Sequence, residues 1–378
     1  MMKKEIMIVQ RIFTDYRKAL FDILSEKEDI IVVHSKNNSG IKQIETSYSK
    51  RVPCLKYGKN DTNVFMFLFV QIFIYKPKII VHEFAIGILS LFFILLISKI
   101  FRIKLILWSH GYDRKKGFDP SKSFGDKIRL FYLKSADAVL LYGENDRNLL
   151  KQYVDEKKVF VAENTFDTAR LIDIYKKLEE EGRTKIKERS GITFKYNLIF
   201  IGRLLKSKNP ELLIDIFEKI KDKVSSDVGI HFIGDGPMLE PLKEIIDKKN
   251  YNVNFFFHGA IHDYEKTGEL LYISDLMVMP GALGLSVIHA FCFGCPVVSF
   301  KSYGNLPSHG PEADYVINGK TGYLVDSKSE DINEIILEYL SNNDLQKSMR
   351  VSVLDFVKEN CTLKKMSEKY IKCLDFCK

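Results

Sequence analysis

Arg203 and Lys208 stand five residues apart in the stretch FIGRLLKSKNPELLIDIF, directly after an apolar run with the composition of a strand. An arginine that can fork onto two oxygens, beside a mobile ammonium, suits a diphosphate whose charge grows as it departs from a substrate. A second stretch, MPGALGLSVIHAFCFGCPVV at 279–298, holds His289, Cys292 and Cys295 at His-x2-Cys-x2-Cys spacing, which raises the question of metal or dithiol chemistry. A zinc site needs about four convergent ligands, and this cluster offers at most three. Cys292-Phe-Gly-Cys295 also falls at the end of an expected helix, not at its start, where a thiolate would be stabilised. The expectation is no metal and no redox centre, with both cysteines serving as small buried apolar residues.

The same stretch reads better as a phosphate seat. Met279 and Pro280 end a strand, Gly281 to Gly284 form a tight loop, and Leu285 to Phe293 keep helical spacing until Gly294 stops them. The free amides of Gly284, Leu285 and Ser286 then lie at a helix N-terminus, where backbone N–H groups and the helix dipole favour an anion. His289 follows about one turn further in. In HFIGDGPMLEPLKEII, the turn Gly234-Asp235-Gly236-Pro237 follows another strand-like run; its glycines let backbone approach a ligand, or simply turn the chain into a helix. Asn209 and Pro210 are expected to cap and open the helix bearing Leu213, Ile216, Phe217 and Ile220.

The elements that must position these residues alternate along the chain. β-rich runs at 5–10, 30–34, 78–82, 103–108, 138–142 and 158–162 are separated by helical segments, which implies a parallel sheet covered on both faces. A charged piece follows, YKKLEEEGRTKIKERSGITFK, and the rhythm restarts at 197–202, 229–234, 252–259, 275–280 and 296–300. That restart predicts two doubly wound α/β domains, 1–168 and 169–361, and the last forty or so residues read as helical. Ligands of open parallel sheets sit beyond the carboxyl ends of the strands, which is where Arg203, Gly234 and Gly281 fall.

Composition bounds the rest. A chain of 378 residues, 46% hydrophobic, is long enough for two cores. Residues 1–168 carry 28 of the 57 Lys and Arg but only 19 of the 49 Asp and Glu, so the remainder is near neutral. No nucleic-acid motif accompanies the basic half, which leaves an anionic membrane face or a phosphorylated substrate as its partner. Six scattered cysteines and the lack of a signal peptide at the start point to a reducing cytosol. The apolar runs at 64–75 and 84–98 fall short of the ~18 to 20 residues that span a bilayer, so they are expected as buried or interfacial helices.

With these residues in place, the second half resembles the nucleotide-sugar-dependent glycosyltransferases of family 4, also called glycosyltransferases group 1, with the GT-B fold. FIGRLLKSKNPELLIDIF, HFIGDGPMLEPL, FFHGAIHDYEKTGELLYISDLMVMPGALGLSVIHAFCFGCPVVSF and HGPEADYVINGKTGYLV follow that family's order and spacing over roughly 197–326. YRKALFDIL, LILWSHGYDR and SADAVLLYGENDRNLL add a looser likeness to the acceptor domains of enzymes that build surface polysaccharides.

The resemblance implies two Rossmann-like domains facing across a cleft, with the C-terminal helix, about 362–378, packing back on the first. It implies that Arg203 and Lys208 hold the donor diphosphate and that Gly234, Asp235 and Gly236 line the nucleotide. Ala260 and Ile261 would hold the base through backbone, and Gly284, Leu285 and Ser286 the distal phosphate. His110 matches a histidine that faces the donor sugar; as a structural residue it would instead cap the turn at Gly111. Many members carry two glutamates separated by seven residues, and here Gly281 and His289 occupy those positions, in a loop about three residues shorter. His289 can still hydrogen-bond a ribose, whereas Gly281 offers only backbone.

For an inverting reaction, Asp15, Glu83 and Asp113 are the first-half carboxylates placed after predicted strands. Arg11 or Arg17 would replace the glycine-rich loop absent after the first strand. The implied activity is sugar transfer from a UDP- or GDP-linked donor to a saccharide or polyprenyl-diphosphate-linked acceptor in capsule or O-antigen assembly, on the inner face of the plasma membrane, without cofactor or required metal. A nucleotide-sugar epimerase of the same fold, or a non-catalytic sugar-nucleotide or glycan-binding subunit, are the alternatives.

Overall fold

The computed structural model describes residues 4–35, 43–57, 63–114, 116–224, 227–302, 309–326 and 331–378. The chain divides into two compact units, Met1–Asp167 with Leu363–Lys378, and Thr168–Thr362.

The first unit contains β1 (Ile6–Gln10), β2 (Ile30–His34), β3 (Ser49–Arg51), β4 (Cys54–Tyr57), β5 (Asn63–Met66), β6 (Ile79–Glu83), β7 (Lys104–Ser109), β8 (Ala138–Leu141) and β9 (Val159–Val161). Seven of them form a parallel sheet in the order β3-β2-β1-β6-β7-β8-β9, and β4 and β5 make a separate antiparallel pair. Strands buried on both faces read as continuous apolar runs, as IMIVQ and IIVVH do. The two-residue period then sends Met7, Val9, Ile31, Val33, Leu105 and Leu107 to one core, and Ile6, Ile8, Ile30, Val32, Ile106 and Trp108 to the other. The helix Leu363–Cys377 closes the second core with Met366, Tyr370, Cys373, Leu374 and Cys377. Those positions share one face at helical spacing.

The second unit holds β10 (Tyr196–Ile201), β11 (Val228–Ile233), β12 (Phe255–Phe257), β13 (Leu276–Val278), β14 (Val297–Ser302) and β15 (Gly322–Asp326). They form one parallel sheet ordered β12-β11-β10-β13-β14-β15. The strand order reverses between β10 and β13, and in the first unit between β1 and β6. At such a reversal the loops on either side diverge and leave a crevice at the carboxyl edge of the sheet.

Two expectations are corrected here. The apolar run at 64–75 is not one helix: Asn63–Met66 is a strand paired with Cys54–Tyr57, and only Phe69–Tyr75 is helical. Short apolar runs carry no period that separates the two states. Asn209 does not cap a helix. It takes the left-handed conformation at φ 54° and ends the 3-10 turn Lys206–Lys208, so the next helix, Leu212–Ile220, begins after Glu211.

Both units bury neutral histidines. His82, fully buried on β6, hydrogen-bonds the Glu83 carbonyl through Nδ1 at 2.6 Å. His231, fully buried on β11, contacts Asn197 Oδ1 at 3.0 Å and His258 Nε2 at 3.1 Å. Desolvation lowers their pKa values to about 4 and about 3. Because the folded-state values lie below the unfolded one, the unfolded chain binds more protons below pH 6.5. Stability is therefore complete above that pH and is lost as the pH falls, by about 1.4 kcal/mol per pH unit for each histidine until its folded pKa is reached. Thermal melts between pH 7.5 and 5.5 should show a falling midpoint, and His231→Phe should flatten the dependence. A variant that keeps the wild-type slope contradicts this origin.

Candidate active site

The carboxyl edge of the sheet at the β10/β13 reversal is held together by backbone hydrogen bonds. Gly281 N–H donates to the Lys208 carbonyl at 3.0 Å, which ties the loop after β13 to the loop after β10. The loops after β10, β11 and β12 are laced in the same way. Gly202 N–H donates to Ile233 O at 2.9 Å, Leu204 N–H to Asp235 O at 2.9 Å, and Gly234 N–H to Gly259 O at 2.8 Å. Gly234 has φ 142°, and a Cβ there would overlap the Gly202 carbonyl, so the glycine answers to the neighbouring loop before any ligand. A Cβ on Gly281 would overlap the Lys208 backbone. Gly281 is thus held as glycine by the close approach of the 206–208 turn.

The sequence-identified residues of the second unit gather at this carboxyl edge. Arg203 is exposed just beyond β10 and forms no ion pair among the described residues. Lys208 is half-buried, and its ammonium donates to the Ala282 carbonyl. Burial lowers the Lys208 pKa, and the Glu312 carboxylate opposes that shift. Asp235 is exposed and accepts from the Gly236 N–H at 2.6 Å. Ala260 is exposed and Ile261 half-buried in the loop after β12. The helix of the 279–298 stretch runs Ser286–Cys292, one residue shorter at each end than its spacing predicts, with Leu285 as N-cap. The amides of Gly284, Leu285 and Ser286 therefore lie at its start. His289 packs against the Tyr264 ring, 6.0 Å between centroids, and Arg170 lies over the same tyrosine at 5.1 Å. Desolvation lowers the His289 pKa toward about 4, although part of the residue stays accessible, so the imidazole is neutral at pH 7.

Two residues that sequence reasoning passed over complete this edge. His309 accepts from the Leu283 N–H through Nδ1 at 3.1 Å and donates through Nε2 to Phe300 O at 2.7 Å, which fixes the glycine loop against β14. Glu312, in the 3-10 turn Pro311–Tyr315, is 2% exposed and faces Lys208 electrostatically. Both stand in HGPEADY, where their spacing is visible but their long-range partners are not.

Cys292 and Cys295 are fully buried, and desolvation raises both thiols, that of Cys295 to about 12. Among the described residues no group of three His, Cys, Asp or Glu side chains converges as metal ligands.

His110 lies in the other unit, immediately after β7. It does not cap Gly111; the Ser109 hydroxyl accepts that amide at 2.7 Å. His110 Nδ1 instead faces Asp146 Oδ2 at 3.0 Å, and Arg114 donates to Asp146 Oδ1 at 3.0 Å. Asp146 is fully buried, on the helix Glu144–Leu150. A carboxylate only accepts, so the Nδ1 proton is assigned to that bond and Nε2 is the nitrogen left for a ligand.

The remaining first-unit ideas fare differently. Glu83 is taken up by Arg11, whose amide and Nε donate to it at 2.7 and 2.6 Å. That pair spans the β1/β6 reversal. Arg17 is buried over Trp108 at 4.7 Å and Tyr142 at 5.4 Å, a packing position. Asp113 lies 3.9 Å from Arg129, and Asp15 opens the first helix.

Residues 182–352 match the family described as Glycosyl transferases group 1. The chain is 28% identical over 289 residues to an uncharacterized glycosyltransferase of Methanocaldococcus jannaschii, covering 72% of this chain and 68% of the relative. It is 24% identical to the capsular polysaccharide biosynthesis glycosyltransferase CapH of Staphylococcus aureus, over 62% of this chain and 63% of that protein. Among solved structures, Anabaena Alr3699/HepE in complex with UDP superimposes at a TM-score of 0.72 with 16% identity, over 99% of this chain and 100% of that one. The same protein with UDP and glucose gives 0.69 and 15%, over 98% and 99%. Those likenesses establish the fold. The two parallel sheets are those of the GT-B fold, and within the second unit residues 182–352 are similar to the glycosyltransferases of group 1.

Proposed function

We propose that the protein transfers a sugar from a nucleoside diphosphate donor to a saccharide or polyprenyl-diphosphate-linked acceptor in the assembly of a surface polysaccharide such as a capsule or O-antigen. The observation that carries this reading is the conjunction at the β10/β13 reversal of Arg203, Lys208 and the helix-start amides of Gly284, Leu285 and Ser286. The two cations neutralise the departing diphosphate and the amides hold its distal phosphate, so the leaving group is stabilised without a required metal. The ribose falls to neutral His289 and the base to the backbone of Ala260 and Ile261, with Gly234 to Gly236 lining the nucleotide. The Anabaena structures, solved with UDP and with UDP-glucose, support a UDP-linked donor. The capsular relative supports the setting. The first unit takes the acceptor at the cytoplasmic membrane face.

In this reading His110 meets the donor sugar through Nε2, oriented by buried Asp146. Asp146→Asn removes the charge that fixes the tautomer, and transfer is expected to slow about tenfold to a hundredfold, the worth of one charge-assisted hydrogen bond. Nucleotide affinity should not change. A variant with wild-type turnover contradicts the role.

Incubating the protein with UDP- and GDP-sugars, with and without acceptor lipid, tests the reading as a whole. Sugar transfer that requires the acceptor is the expected result. An epimer formed from donor alone identifies the epimerase alternative instead, and binding without turnover of any donor identifies a non-catalytic subunit.

A further inference from the structure

One face of the first unit is apolar and exposed, with a cation following each of its two helices. The helix Phe69–Tyr75 and the helix Ser90–Ile100 turn Ile72, Leu91, Ile94 and Leu95 inward to the core. Their opposite faces present Val70 (60% exposed), Phe73 (56%), Phe92, Leu96, Ile100 (72%) and Phe101. The surfaces are continuous, because Phe73 and Phe101 are in edge contact at 5.9 Å and Phe69 and Phe93 at 6.1 Å. A patch built from this many large side chains on adjoining elements differs from the scattered apolar residues of an ordinary surface.

Each helix ends on a cation. Lys76 (φ 48°) follows the first and Arg102 (φ 54°) the second, both exposed and neither in an ion pair among the described residues. From Asn63 to Lys104 the chain carries five Lys and Arg and one carboxylate, Glu83, which Arg11 already neutralises; Lys78 pairs with Glu5, and Lys99 and Lys104 with Asp137, so Lys76 and Arg102 are the cations that give the face its charge.

We infer that this face docks on an anionic lipid bilayer, with the two helices lying in the headgroup boundary. The helix Ser90–Ile100 has 11 residues, about 16 Å of rise, roughly half the thickness of the hydrocarbon core. No helix among the described residues is long and apolar enough to cross a membrane. Short helices with one face sunk in their own domain and an aromatic and aliphatic outer face lie on a bilayer, and cations at their ends meet anionic headgroups. A second copy of the chain fits less well. A twofold contact through this face would bring Lys76 and Arg102 against their own kind, with Glu83 the one carboxylate in the segment and already paired. The inference deepens the lipid-linked acceptor reading and rests on it for its purpose.

Co-sedimentation of the full chain with vesicles of phosphatidylcholine alone, or with about one third phosphatidylglycerol, tests it. Binding is expected to the anionic vesicles and to fall with salt. Lys76→Glu with Arg102→Glu should weaken binding more than about tenfold. Phe73→Ser with Ile100→Ser should abolish it while the thermal midpoint and its shift with UDP stay at wild type. Absence of wild-type binding to anionic vesicles overturns the inference. So does a dimer, seen by light scattering, that Ile100→Ser dissolves. Transfer to a short soluble acceptor separates the two claims. Turnover without vesicle binding removes only the docking face, and vesicle binding without turnover removes only the transferase reading.

Discussion

Replacing Arg203 and Lys208 together by alanine should lower sugar transfer by about three orders of magnitude or more, while the protein still folds. The estimate follows from the removal of two charged donors at a position where negative charge develops; each such donor contributes about a hundredfold to a thousandfold. The pair is not symmetrical. Arg203 is exposed and tied to nothing described, so Arg203→Ala alone reports on the ligand. Lys208 also holds the Ala282 carbonyl and sits opposite buried Glu312. Lys208→Ala therefore leaves a carbonyl and a carboxylate without their cation, and costs some stability besides activity. Steady-state kinetics on the three variants, with thermal melts alongside, separate the contributions. Full activity in the double variant would falsify the diphosphate assignment.

A glutamate at position 281 should harm this protein. Gly281→Glu places a Cβ on the Lys208 backbone, and relief requires the 206–208 turn to move away. That displacement breaks the Gly281 N–H to Lys208 O bond and shifts Lys208 itself. A loss of about 2–3 kcal/mol in the second unit is expected, together with loss of transfer. Gly284→Ala is the control, because nothing lies within 4 Å of a Cβ there, and it should fold like wild type. Denaturant unfolding of both variants checks the contrast. Higher activity in Gly281→Glu would mean that the shortened loop can accept a carboxylate and that the turn is not fixed as described.

These positions show where sequence was sufficient and where it was not. Long parallel strands announce themselves, because burial on both faces makes runs such as IMIVQ and NLIFI continuous. The alternation of such runs with helices conveyed both sheets. Ser49–Arg51 and Cys54–Tyr57 carry mixed polarity and owe their strand state to pairing partners, so nothing local marks them. The Asn209-Pro210 pair looks like a helix start, yet the left-handed turn that brings Lys208 back toward Gly281 prevails. Gly281 was legible as part of a tight loop, but what holds it as glycine is a turn far away in sequence. Asp146 and Glu312 act on His110 and Lys208 through contacts that only the folded chain creates. Their sequence signal is no more than an acid inside an otherwise packed segment.

The central claim is that the second unit binds a nucleoside diphosphate through its diphosphate. Calorimetric titration of UDP, GDP and uridine into the wild type and Arg203→Ala, with a chelator present, addresses it directly. The account predicts that a nucleoside diphosphate binds well above the nucleoside and that Arg203→Ala weakens it by about tenfold to a hundredfold. Equal affinities for uridine and UDP with no binding of GDP, or a nucleotide affinity that Arg203→Ala leaves unchanged, would contradict it.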